Sequence, residues 1–120
     1  MKILLVDDDA FLRDMYATKF RESGDEVAVA SQSEKVLKML EEDVYDAIIV
    51  DMVMPGLSGT QLIQAIKAID SAKESVCIVL SNQSEPKDIE EAKQAGAKGY
   101  IIKAEAIPSE VVQKVHKLCS

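Results

Sequence analysis

Residues Ala47 to Val50 form an apolar run, AIIV, with no polar alternation, and the run meets an acid at Asp51. A strand with one wet face alternates apolar and polar side chains. A strand covered on both faces reads as a continuous apolar run. The AIIV run therefore belongs inside a sheet with helices on both sides. A Pro-Gly pair at Pro55-Gly56 supplies turn chemistry just beyond it. A carboxylate at the end of such a strand cannot pack into the core. It must emerge at the sheet edge, where open α/β folds place their ligand sites.

The rest of the chain repeats this pattern. Ile3 to Val6 reads as a first buried strand, and Glu26 to Ala30 as a short second one. The third runs from Ala47 to Asp51, the fourth from Val76 to Leu80, and the fifth from Tyr100 to Ile102. Between them lie helical spacings. Phe11, Leu12, Met15, Tyr16 and Phe20 mark the inner face of a first helix, which Gly24 ends. Ser31 with Glu34 matches a capping box for a second helix carrying Val36, Leu37 and Leu40. Ser58 with Gln61 matches another, followed by Leu62, Ile63, Ile66 and Ile69. Pro86 and Gly96 bracket a fourth helix whose apolar content is low, with Ile89, Ala92 and Ala95 on one side. Pro108 opens the last, with Val111, Val112, Val115, Leu118 and Cys119 inward. Five strand–helix alternations with no long linker predict an α/β fold: a doubly wound, five-stranded parallel sheet. Right-handed crossovers then gather every strand's carboxyl end on one edge.

Length and charge narrow the function. A chain of 120 residues accommodates one domain, 1–120, with a modest core. No apolar run approaches the ~20 residues that span a bilayer. The start, MKILLVDDD, has no small-residue cleavage site, so a cytoplasmic location is expected. Two cysteines, Cys77 and Cys119, make no disulfide framework. A net charge of −7 disfavours direct binding to nucleic acid, whose phosphates would be repelled.

The strand ends deliver a distinctive set of groups. The first brings Asp7, Asp8 and Asp9, and the third brings Asp51. The fourth brings Ser81, Asn82 and Gln83, and the fifth brings Lys103, with Tyr100 three residues earlier. Carboxylates converging from adjacent strands resist ionisation unless a cation joins them. Oxygen ligands alone suit a hard divalent ion, and few carboxylates with open water positions suit Mg²⁺. Lys103 and Ser81 add a positive point charge and a hydroxyl donor for something anionic. Together they fit phosphoryl transfer to Asp51 as nucleophile, with Mg²⁺ and Lys103 neutralising the equatorial oxygens.

LLVDDD, DAIIVDMVMPGLSG, VLSNQ and GYIIK, in this order and spacing, resemble the response-regulator receiver domain of two-component signalling, from Lys2 to about Leu118. The resemblance implies a flavodoxin-like (βα)5 sheet with strand order 2-1-3-4-5. By position it implies Asp51 as phospho-acceptor, Asp8 as a direct Mg²⁺ ligand with Asp7 as its partner, and the Val53 backbone carbonyl as a further ligand. Ser81 resembles the switch hydroxyl, Lys103 the lysine that bonds the phosphoryl group, and Tyr100 the aromatic whose orientation follows Ser81. It also implies a histidine kinase as donor and a downstream protein target, with a phosphorylation-dependent dimer left open. The domain itself would promote its phosphorylation and dephosphorylation, without turnover of an external substrate. A stand-alone receiver is expected. The alternatives are a phosphorelay shuttle, a receiver excised from a larger regulator or hybrid kinase, and an unphosphorylated interaction module.

The chain departs from the family at three places. Ala104 follows the lysine where Pro is usual, which puts the path after Lys103 in question. Ser58 stands where Asp is common, and both residues cap helices. Val53 stands where polar residues often occur, and it cannot orient an attacking water. A long-lived phosphoryl group is therefore expected, tuned by Val53 and Gln83. Two rival classes fare worse. A flavin or nucleotide site would want backbone amides or hydroxyls after the first strand, not three aspartates. A phosphatase with an Asp nucleophile would carry a second acid where Val53 stands. Asp9 is expected to stay out of the metal shell, one of Asp8 and Asp9 is expected to cap the first helix, and His116 is assigned no role.

Overall fold

The computed structural model describes residues 1 to 120. Strands and helices alternate as β1 (Lys2–Val6), α1 (Ala10–Glu22), β2 (Glu26–Ala30), α2 (Ser33–Glu42), β3 (Ala47–Val50), α3 (Gly59–Lys67), β4 (Val76–Ser81), α4 (Pro86–Ala95), β5 (Gly99–Ile102) and α5 (Pro108–Cys119). The five strands form one parallel sheet in the order β2-β1-β3-β4-β5, as the alternation implied.

Each central strand feeds two cores, one on each face. Leu4, Val6, Ile48, Val50, Cys77 and Val79 point into a core with Val36 and Leu40 of α2, Leu62, Ile63 and Ile66 of α3, and Ala92 of α4. The intervening Ile3, Leu5, Ala47, Ile49, Ile78 and Leu80 point the other way, against Tyr16, Ala17 and Phe20 of α1 and Val111, Val112 and Val115 of α5. This two-faced burial is why β1, β3 and β4 carry no polar side chain until their ends. Each fully buried Ile or Leu contributes about 1.5–3 kcal/mol relative to exposure.

Helix ends follow the local chemistry with one exception. Gly24 (φ +92°) and Gly96 (φ +119°) take the left-handed conformation just past α1 and at the end of α4. Ser58 and Gln61 make the reciprocal capping box of α3. The Ser31–Glu34 box does not form, because α2 begins at Ser33 and its N-cap is Gln32, with no side-chain cap bond. The pattern lies one residue out of register with the helix. Phe11 is the second correction: it is 77% exposed. Phe20 is nine residues further on, and at about 100° per residue the two lie on opposite sides of α1. The peptides are all trans, so the chain after Lys103 follows a short 3-10 turn over Lys103–Glu105.

Candidate functional site

Strand register assembles the site. Val6 of β1 lies level with Val50 of β3, so Asp7 and Asp51 leave the sheet side by side. The last ladder bonds hold both backbones: Asp7 N–H donates to the Ala30 carbonyl at 3.1 Å, and Asp51 N–H to the Val6 carbonyl at 3.3 Å. β4 ends at Ser81, level with Ile102 of β5, which delivers Lys103 to the same edge.

The two carboxylates are satisfied in the same way. One oxygen of each turns to its own loop. Asp9 N–H donates to Asp7 Oδ1 at 2.9 Å, and Val53 N–H donates to Asp51 Oδ1 at 3.2 Å. The other oxygens share Lys103, whose Nζ lies 2.7 Å from Asp7 Oδ2 and 2.8 Å from Asp51 Oδ2. Asp7 and Asp51 are buried at 2% and 9% exposure, and the Lys103 side chain is almost as enclosed. Burial works against the ammonium, but the hydrogen bonds and charges of Asp51 and Asp7 outweigh it, so the Lys103 pKa is raised. Asp8 is exposed beside them, and Asp9 caps α1 by accepting from Leu12 N–H at 3.1 Å.

One carboxylate oxygen from each of Asp7, Asp8 and Asp51 lies within 4.8 Å of the others, a cluster that could hold a metal ion. An all-oxygen donor set fits a hard divalent cation such as Mg²⁺. Asp9 is not part of the cluster.

The residues after β4 join to Tyr100 through backbone. Ser81, 1% exposed, accepts from Gln83 N–H at 3.3 Å, and the Gln83 carbonyl accepts from the Tyr100 hydroxyl at 2.7 Å. Sequence reasoning singled out Gln83 for its side chain, whereas here its peptide groups link Ser81 to Tyr100. Burial, then the negative charge of Asp88, raise the Tyr100 pKa. Val53 is 58% exposed beside Asp51.

Three residues near the site escaped the sequence reading. Arg13 donates from Nη1 to the Asp7 carbonyl at 3.2 Å. Gly59 opens α3 so close to the end of β3 that a Cβ there would lie 2.6 Å from the Asp51 carbonyl oxygen. Ser33 reaches across from α2 to Leu57. Helical spacing gave no signal for the first, and a glycine after a capping serine is ordinary in sequence. His116, given no role, places Nε2 2.6 Å from Asp25 Oδ2, next to the start of β2 at the opposite end of the sheet. Cys77 is buried and Cys119 partly so, both as free thiols.

Comparison with known proteins agrees with this geometry. A family profile described as the response regulator receiver domain matches residues 3–116. The chain is 33% identical over 104 residues to the chemotaxis protein CheY of Pseudomonas aeruginosa, covering 86% of this chain and 84% of that one. It is 30% identical over 105 residues to the sensory/regulatory protein RpfC of Xanthomonas campestris, covering 86% of this chain and 14% of that longer protein. Among solved structures, the chemotaxis response regulator CheY4 of Vibrio cholerae superposes with a TM-score of 0.91 at 26% identity, over 98% of this chain and 97% of that one. Receiver domains of this kind are signalling modules. The profile match over nearly the whole chain and the CheY-like sheet order together establish that the chain belongs to the response-regulator receiver family.

Proposed function

We propose that this chain is a phospho-accepting receiver in which Asp51 takes a phosphoryl group from a histidine kinase. The observation that carries the reading is the Lys103 bridge, which holds a cation against Asp51 and Asp7 at one buried edge. An Asp51 carboxylate oxygen forms the bond to phosphorus. The bond from phosphorus to the donor's nitrogen, or to the oxygen of a small donor such as acetyl phosphate, breaks, and its electron pair leaves with the donor. Lys103 then has a new anion within reach and stabilises charge on the transferred group. Asp7, Asp8, Asp51 and the Val53 backbone carbonyl would hold Mg²⁺, which would supply further neutralisation of the phosphoryl oxygens.

Signalling would follow from the Ser81–Gln83–Tyr100 linkage. Ser81 turning toward the phosphoryl group gives up its bond from Gln83 N–H, which loosens the peptide that holds the Tyr100 hydroxyl. Tyr100 moves, and the surface of α4, β5 and α5 shifts population toward a form that binds a downstream protein. α4 is suited to this, since Ala92 is its one buried residue. Action is by protein contact in the cytoplasm, with no direct nucleic-acid or membrane partner. No helix is long and apolar enough to cross a membrane.

Incubation with acetyl phosphate tests the reading. A phosphoprotein that forms with Mg²⁺ and fails to form with a chelator supports it. No phosphoprotein from acetyl phosphate or from a panel of phosphorylated histidine kinases contradicts it.

A further inference from the structure

The loop between Asp51 and Ser58 carries the acceptor and the proposed metal-binding carbonyl, yet few bonds hold it. Met52 accepts from Gly59 N–H at 3.0 Å, and Val53 N–H turns back to Asp51. Met52 and Met54 anchor it in the core at 7% and 9% exposure. A hydrogen bond ties the turn itself to α2: Leu57 N–H donates to the Ser33 hydroxyl at 3.0 Å. Ser33 is 2% exposed, so water does not replace that bond. Gly56, in the left-handed conformation at φ +89°, turns its bare Cα toward the same hydroxyl, and a Cβ there would lie 2.5 Å from Ser33 Oγ. The Pro55–Gly56 turn is thus wrapped around the Ser33 side chain.

We infer that Ser33 is a positioning residue, which fixes the path of this loop and through it the Val53 peptide beside Asp51. This rests on the receiver reading for its link to Mg²⁺, while the latch itself rests on geometry alone. Ser33 touches neither the carboxylates nor the phosphoryl position. Its hydroxyl acts by satisfying Leu57 N–H and filling the concave side of the turn. Loss of the hydroxyl leaves a buried donor without a partner and lets the turn drift. Groups that orient a metal ligand from outside commonly change affinity by about 10-fold or more when removed.

Amide hydrogen exchange and Mg²⁺ titration of the unphosphorylated protein provide the test, with Ser33→Ala and the hydroxyl-keeping Ser33→Thr. In Ser33→Ala the Leu57 amide should exchange about fivefold faster, as expected for one lost hydrogen bond, while the Ile49 amide of β3 is unchanged. Mg²⁺ affinity should fall by about tenfold, and Ser33→Thr should recover most of both effects. Unchanged exchange at Leu57 would overturn the latch. Faster exchange with unaltered Mg²⁺ affinity would overturn the positioning role. If the wild type binds no Mg²⁺, the receiver reading of the metal fails, and the latch is then judged on Leu57 exchange and on displacement of the Val53 amide resonance.

Discussion

Lys103 Nζ sits 2.8 Å from Asp51 Oδ2 while its other contact, Asp7 Oδ2, is 2.7 Å away. One ammonium therefore bridges two carboxylates that come from neighbouring strands and offsets their mutual repulsion. It makes the acidic edge tolerable in the absence of a metal.

Replacing it exposes that role. Lys103→Met leaves two buried carboxylates facing each other, and breaking a buried pair from one side costs about 3–5 kcal/mol. Urea unfolding without Mg²⁺ should show a loss of that order. Added Mg²⁺ should recover part of it, since a ligand that binds only the folded state stabilises that state by mass action. A variant as stable as wild type in chelator would contradict the account.

The same bridge sets a pH dependence. The folded-state pKa of Lys103 is raised above its ordinary 10.5, so folding favours the protonated form. Its contribution is complete below 10.5 and is lost as pH rises through the folded value. Urea midpoints of wild type and Lys103→Met should stay well separated at neutral pH and converge above pH 10.5.

Val53 governs phosphoryl lifetime in this account. Its apolar side chain is exposed next to Asp51 and cannot hold a water in line. Val53→Asn should speed loss of the phosphoryl group by roughly tenfold, below the ~10²-fold of a positioned proton-transfer group. Decay of the purified phosphoprotein measures it, and an unchanged rate contradicts the assignment.

Gly59 is required by close approach. A Cβ there meets backbone, 2.6 Å from the Asp51 carbonyl oxygen and 2.7 Å from Met52 Cα. No flexible side-chain end can give way, so Gly59→Ala should cost about 1–3 kcal/mol. Because the strained atoms belong to the acceptor loop, phosphorylation by acetyl phosphate should slow as well. The comparison of unfolding midpoint and phosphorylation rate checks both halves.

The sheet was legible because β1, β3 and β4 are buried on both faces, which writes an uninterrupted apolar run into the sequence. The strand-end residues Asp7, Asp51, Ser81 and Lys103 were legible for the same reason: each is the polar group where an apolar run stops. Phe11 misled because apolar spacing alone does not say which side of a helix the sheet covers. The Ser31–Glu34 motif misled because a capping pattern is short and tolerates a shift of start. Contacts that cross the fold left no local trace. Arg13 to the Asp7 carbonyl and Ser33 to Leu57 depend on how elements pack, and no spacing along the chain encodes them.

Intact-mass and peptide-mapping mass spectrometry, after incubation with Mg²⁺ and acetyl phosphate, identifies the acceptor residue itself. One phosphoryl adduct is expected, mapped to Asp51 and absent from Asp51→Asn. An equal adduct on Asp51→Asn, or none on wild type even with a cognate kinase, would contradict that assignment.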